Sequence, residues 1–211
     1  MSDYKDISNI YIYRVLGVFV NFGSMFIVVP FLASDPESYA IYAFAMSLSF
    51  FLTYGDLGFV GAAQKYCAEA VGRGRLEQEL EYVGFMVAVL GIVAGLFASL
   101  MIMAAFNPQV LLPQLDQKHV NLASILFLTM AILLPIQVLV QRFVALVLAS
   151  RLKDFYAIRI DLVANILKII IAPMFDSSEG YLLEYYFITS TAISIISALV
   201  SILVVRFHLN F

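Results

Sequence analysis

Long uncharged runs are the feature of this sequence that most restricts its fold. Residues 15–34, 38–55, 82–115, 120–141 and 185–205 contain no Asp, Glu, Lys or Arg. Each run is close to or longer than the roughly 18 residues that a helix needs to cross a bilayer. The runs are continuous rather than alternating, which excludes a closed barrel, and no other structure satisfies its backbone in lipid. The sequence predicts an all-α, polytopic membrane helix bundle.

Composition supports an integral membrane protein and narrows its partners. Of 211 residues, 63% are apolar and 13% are charged, which no soluble domain of this size would show. The formal charge of −3 argues against a nucleic-acid partner. The single Cys67 excludes an internal disulfide framework, and we interpret it as a small core residue.

A sixth helix is predicted where the hydropathy is weaker, in the segment "RIDLVANILKIIIAPMF". We therefore expect about six transmembrane helices within a single domain spanning residues 1–211. The predicted helices cover residues 10–33, 39–64, 82–106, 120–149, 157–175 and 185–206.

The basic residues predict the orientation. Ten of the twelve fall on one side of the predicted membrane: Lys5, Arg14, Lys65, Arg73, Arg75, Arg142, Arg151, Lys153, Arg159 and Arg206. The positive-inside bias then makes both termini cytoplasmic, with an even number of spans. No cleavable signal peptide is visible, so we expect the first helix to remain as an anchor.

The sixth predicted segment carries a polar stripe. At 100° per residue, Asp161, Asn165 and Lys168 fall within roughly a 60° arc. A charge at the bilayer centre costs roughly 2.5 to 3.5 kcal/mol, so such groups usually face a bundle interior or an aqueous cavity. Lys168 is expected near the middle of its helix. The stripe predicts a translocation cavity, and a structural network with a neighbouring helix is the alternative.

Other polar groups extend this prediction. Arg14, Asn21 and Ser24 share one side of the first helix, although Arg14 would equally fit an arginine that snorkels to the membrane surface. Gln141 follows Gln137 by one turn, where glutamines commonly bond across membrane helices, and Arg142 comes next. The charged segment 65–82 is interpreted as a solvated cytoplasmic surface.

Motifs for catalysis are lacking, and we expect no enzyme activity, no metal and no cofactor. His119 and His208 have no "HExxH" spacing, and the sequence contains neither "GxSxG" nor "GxxxxGK". An aspartyl mechanism would need Asp56 and Asp161 to share a site. We expect Asp56 instead at the cytoplasmic end of the second helix, bonded to Lys65 or a neighbouring basic loop.

One segment resembles a known family. "YAIYAFAMSLSFFLTYGDLGFVGAAQKYCAEAVGRGRLEQ", residues 39–78, is similar to the second helix and following loop of the O-antigen type polysaccharide flippases, within the multidrug/oligosaccharidyl-lipid/polysaccharide exporter superfamily. The similarity rests on Asp56-Leu57-Gly58, Ala62-Ala63, Tyr66, Ala68-Glu69 and Gly72-Arg73-Gly74. "RVLG", residues 14–17, also resembles the first helix of the lipid II flippase.

The resemblance implies transport of an undecaprenyl-diphosphate-linked sugar repeat unit across a bacterial inner membrane, for surface polysaccharide biosynthesis. Arg14, Lys168 and Arg142 would then hold the diphosphate. Asn21, Asn165 and Gln141 would meet sugar hydroxyls or cavity water, and Asp56 or Asp161 would be a coupling or structural acid. Membrane lipid and a polysaccharide polymerase are further implied partners.

The family departs from this chain in one respect, because its members have two six-helix lobes. We therefore expect this chain to be one lobe. The sequence leaves open whether the chain is a truncated product, a fragment of a longer reading frame, or a half-transporter that pairs with a second lobe or a second copy. Two other functions also remain open, a multidrug or cation exporter of the same superfamily and a non-transporting membrane scaffold.

Overall fold

The computed structural model describes residues 2–33, 35–56, 58–113, 115–174 and 182–209, and the regular secondary structure of these residues is entirely helical. The predicted all-α membrane bundle is confirmed, with five stretches long and apolar enough to cross a membrane and one shorter helix, α6. The α-helices are α1 Ser2–Leu32, α2 Pro36–Tyr54, α3 Phe59–Gly72, α4 Leu76–Phe106, α5 Val120–Ala149, α6 Phe155–Ile171 and α7 Leu182–Leu209.

The helix predicted over 39–64 is broken into α2 and α3. Two glycines make the break. A Cβ at Gly55 would lie 2.6 Å from the carbonyl oxygen of Phe51 and 3.3 Å from Val93, and Gly58 has φ 87°, a left-handed conformation that only glycine adopts without strain. Together α2 and α3 still form one stretch long enough to span a membrane.

The starts of two predicted helices move outward the most. α1 begins at Ser2 rather than residue 10, and α4 begins at Leu76 rather than residue 82. Segment 65–82 is therefore largely helical, because its Ala, Glu, Gln and Leu residues favour helix and only a short turn at residues 73–75 separates α3 from α4.

The helices pack as a bundle around α5. α5 contacts α4 and α7 most extensively, α3 packs on α4, and α6 lies against α7 on one side and α1 on the other. We call the end where α1 begins and where α3 meets α4 the basic end. The opposite end holds the α1–α2 and α4–α5 connections.

The buried core has two parts. Near the opposite end, Leu32, Ala45, Leu126, Phe127 and Met130 form the larger cluster, and near the basic end Cys67, Met86 and Val147 anchor the smaller one. Cys67 is a buried core residue, as predicted. By contrast, α1 is largely exposed along its membrane-spanning length and is held mainly by α6.

Candidate functional site

A cavity of about 520 Å³, the central cavity, opens among five helices of the bundle. Its walls come from α1, α2, α5, α6 and α7, so residues far apart in sequence share one space. The polar members of its lining are Ser24, Tyr42, Ser49, Thr53, Gln137, Gln141, Lys168, Tyr186, Ser190, Thr191 and Ser194.

Lys168 supplies a positive charge to the central cavity. Its ammonium forms no hydrogen bond or ion pair with any residue that the structure describes, and the charged group that acts on it is the carboxylate of Asp161. Their separation of seven positions corresponds to about 10 Å along the helix axis, too far for contact within one helix face. The ammonium is therefore available to an anion in the cavity.

Lys168 lies in the last turn of α6 and not at the middle of the helix. The predicted helix continued to residue 175, but α6 ends at Ile171 because Pro173 cannot donate a backbone hydrogen bond. A cation in the last turn of a helix is stabilised by the negative end of the helix dipole. The charge thus sits toward the opposite end of the bundle.

The serine and threonine hydroxyls of the cavity donate their protons to backbone carbonyls of their own helices. Ser49 donates to the carbonyl of Met46 at 2.6 Å, Thr191 to Phe187 at 2.7 Å and Ser194 to Ser190 at 3.0 Å. The other hydroxyl side chains of this kind, Ser24, Thr53 and Ser190, also donate to carbonyls of their own helices. Because the protons are used internally, these oxygens face the cavity as acceptors.

Gln137 and Gln141 complete the polar lining from one face of α5. They lie one helical turn apart, and each amide carries both a donor and an acceptor. Tyr42 and Tyr186 pack edge to face, with ring centroids 6.5 Å apart. The cavity is thus hydroxyl-rich and amide-rich, with one aromatic wall.

The two predicted arginines lie outside this lining. Arg14 forms an ion pair with Asp154, the N-cap residue of α6, with Nη2 and Oδ2 2.9 Å apart. Its side chain is 62% exposed, so it resembles the snorkelling alternative more than a cavity cation. Arg142 donates from Nη2 to the carbonyl of Thr53 at 2.7 Å and so caps the last turn of α2.

The rest of the polar stripe is bound to neighbouring helices. Asn165 donates to Asn21 at 3.0 Å, which joins the stripes of α6 and α1, and Ser197 of α7 donates to Asp161 at 3.4 Å. Neither asparagine lines the central cavity. Of the predicted substrate-binding residues, the structure brings Gln141 and Lys168 together in the cavity.

Asp56 lies in the turn between α2 and α3. Its backbone carbonyl accepts from the N–H of Phe59 at 2.8 Å, while its carboxylate has no ion pair with Lys65 or with another described residue. The expected bond to a basic loop is therefore absent from the described chain. Asp161 contacts Ser197 on α7 and not Asp56, so the two carboxylates do not form a pair.

One buried ion pair was missed from the sequence. Glu79 in the first turn of α4 is 0% exposed and binds both terminal guanidinium nitrogens of Arg151, with Nη2 and Oε2 2.8 Å apart. The interpretation of segment 65–82 as solvated is wrong for this residue. The sequence contained a signal for this burial, because Glu79 lies at helical spacing from Val83, Met86 and Leu90 on the buried face of α4.

A second group of charges lies at the opposite end. His119 is 9% exposed and contacts Asp35 at 3.4 Å and Glu37 at 3.2 Å, so it does not stand alone as its sequence context indicated. The described residues contain no cluster of three or more His, Cys, Asp or Glu side chains that would hold a metal. This group ties the start of α5 to the start of α2.

No family model, curated protein or solved structure matches the chain, so any inference about its function rests on the geometry described above.

Proposed function

We propose that this chain is one lobe of a lipid-linked oligosaccharide flippase, which moves an undecaprenyl-diphosphate-linked sugar repeat unit across the bacterial inner membrane. The observation that carries the proposal is the Lys168 ammonium, which faces the central cavity without a hydrogen-bonding partner in the described residues. A cation in such a space needs an anion, and a diphosphate supplies one.

The hydroxyl lining fits the sugar part of such a substrate. Sugar hydroxyls are donors, and the cavity oxygens of Ser49, Thr191 and Ser194 are acceptors because their protons are used within their own helices. The amides of Gln137 and Gln141 would add donors for the sugar oxygens. The same cavity therefore suits a ligand with one anionic group and several hydroxyls.

In the membrane, the basic end of the bundle would face the cytoplasm, as the positive-inside bias favours. The largely exposed α1 and the central cavity beside it would meet a second six-helix lobe or a second copy of the chain. A polysaccharide polymerase would act on the sugar unit after transfer.

The central cavity argues against the cation exporter. That function would favour an acidic lining, and no carboxylate is among the described residues of the cavity wall. If the chain were a non-transporting membrane scaffold, we would expect the polar stripes of neighbouring helices to hydrogen-bond to each other and leave no cavity. Asn21 and Asn165 do satisfy each other, but Lys168 lies beside an open space of about 520 Å³.

The test is transport by proteoliposomes that contain the chain, with its second lobe if it has one, and a fluorescent diphosphate-linked oligosaccharide lipid. A transported lipid carries its label to the inside of the liposome, where an external reagent cannot reach it. Lys168→Ala should abolish this protection, while Lys168→Arg should retain part of it because the charge remains. Lys118→Ala is the matched control, because Lys118 pairs with Glu37 on the surface and away from the cavity. Transport by Lys168→Ala at the wild-type rate would contradict the proposal.

A further inference from the structure

An apolar groove of about 410 Å³ runs between α6 and α7, on a different side of α6 from the central cavity. Its lining is Arg159, Ile160, Val163, Ala164, Leu167, Ile193, Ile196, Ser197 and Val200. Val163 is 56% and Ile196 59% exposed, so the groove opens at the surface of the bundle. From Arg159 to Leu167 it extends about 12 Å along the helix axis.

Arg159 closes the basic end of this groove. Its guanidinium lies over the ring of Tyr13, 4.3 Å from the centroid, and beside the ring of Phe155 at 5.2 Å. These contacts hold the side chain in place but accept none of its N–H groups. The Nε atom is buried without a hydrogen bond, and no carboxylate in the described part of the chain pairs with the guanidinium.

The arrangement combines an apolar channel with a charge that lacks an acceptor. The terminal nitrogens of the guanidinium are not among the buried unpaired atoms, so a phosphate can reach them and accept charge-assisted hydrogen bonds. The rings of Tyr13 and Phe155 fix its plane, so less entropy is lost when an anion binds. In a membrane, the molecule that presents a phosphate at the surface and a hydrocarbon chain below it is an anionic lipid.

We propose that the groove between α6 and α7 binds one hydrocarbon chain of an anionic membrane lipid, whose phosphate is held by Arg159. This site is separate from the central cavity and does not depend on the transport function proposed for the cavity.

The chain contains no tryptophan, which makes single tryptophan reporters free of background. Leu167→Trp places a reporter in the groove, and Ile170→Trp places one at similar depth on the same helix outside the groove. Each variant would be reconstituted in bilayers of phosphatidylcholine with brominated phosphatidylglycerol, or with brominated phosphatidylcholine, and quenching would be measured.

The proposal predicts a roughly fivefold preference for phosphatidylglycerol at position 167, the factor that one basic side chain supplies near a membrane surface. Position 170 should show no such preference, since it reports only the surrounding lipid. Arg159→Gln in the Leu167→Trp protein should remove the preference, Arg159→Lys should retain part of it, and Arg206→Gln, an exposed arginine outside the groove, should leave it intact.

Equal quenching by both lipids at position 167 would overturn the proposal, and this comparison uses the intact arginine, so it does not depend on the folding of an Arg159 variant. A preference of the same size at position 170 would also overturn it, because the effect would then come from the general charge of the basic end. Loss of the preference with added inorganic phosphate, with no change in chain contact, would show a free-anion site instead of a lipid site.

Discussion

Glu79 and Arg151 are 72 positions apart in sequence, yet they form an ion pair through both terminal guanidinium nitrogens, and Glu79 has no exposed surface. The pair joins the start of α4 to the turn between α5 and α6. Asp154, in the same turn, pairs with Arg14 of α1. One short turn therefore connects the two sides of the bundle at its basic end.

Removal of one partner of the buried pair should destabilise the protein strongly. Arg151→Met leaves the Glu79 carboxylate buried without its cation, which costs about 3 to 5 kcal/mol of unfolding free energy. The double variant Glu79→Leu/Arg151→Met should recover much of that loss, because no charge remains buried. Unfolding of the purified protein in mixed micelles by added denaturing detergent measures both.

The exposed pair Glu69 and Arg73 is the control for this prediction. These side chains are 47% and 59% exposed and one helical turn apart, so Glu69→Gln should change stability by at most about 0.5 kcal/mol. A buried-pair variant no more destabilising than this control would contradict the role given to Glu79 and Arg151.

Gly58→Ala should destabilise the break between α2 and α3. Gly58 has φ 87°, and an alanine in a left-handed conformation costs about 1 to 2 kcal/mol. Gly61→Ala is the control, because Gly61 is a helical residue of α3 with open space where the methyl would lie, so its substitution should be neutral or stabilising. Thermal unfolding of both variants measures the difference. Equal stability of the two would mean that the break does not need a glycine.

Topology can be tested with single cysteines in a Cys67→Ala background. Glu77→Cys lies at the basic end and Gln109→Cys at the opposite end, and both positions are exposed. If the basic end is cytoplasmic, a membrane-impermeant maleimide added to intact cells should label position 109 and not position 77. Cells opened by detergent provide the control, in which both must react. The reverse pattern in intact cells would invert the proposed orientation.

Asp35 should give a pH-dependent contribution to stability. Ser38 donates to its carboxylate, partial burial acts in the opposite sense, and the N–H of Glu37 donates as well; together they lower the pKa of Asp35. A carboxylate with a lowered folded-state pKa contributes stability above its ordinary pKa, and this stability is lost as pH falls through the folded value. Asp35 is the N-cap of α2, and asparagine is also a good N-cap.

Asp35→Asn should therefore be less stable than wild type at neutral pH, and the difference should close as the pH falls to about 3 or lower. The control is Asp116→Asn, because Asp116 precedes a short helical turn without a side-chain cap bond. If the stability difference between Asp35→Asn and wild type were the same at neutral pH as at about pH 3, the charge of Asp35 would be excluded as its cause.

The sequence by itself determined the class of this protein, the positions of its membrane-spanning helices and the helix on which Lys168 lies. These follow from local properties, because an apolar run of sufficient length has no alternative to helix in lipid. Gly55 and Gly58 flank Asp56 in the sequence, and glycine permits a local break in a helix. Whether they break the helix depends on the approach of Val93 from α4, which no local pattern contains.

Only the tertiary structure decided which polar groups share a space. The stripe of Asp161, Asn165 and Lys168 divides among three environments, with Ser197 for the first, Asn21 for the second and the central cavity for the third. A 60° arc on one helix spans contacts with more than one neighbour, and the rotation and offset of those neighbours come from packing along their whole length. The burial of Glu79 beside Arg151 has the same origin, since a charge near a helix end is solvated or buried according to the helix that lies across from it.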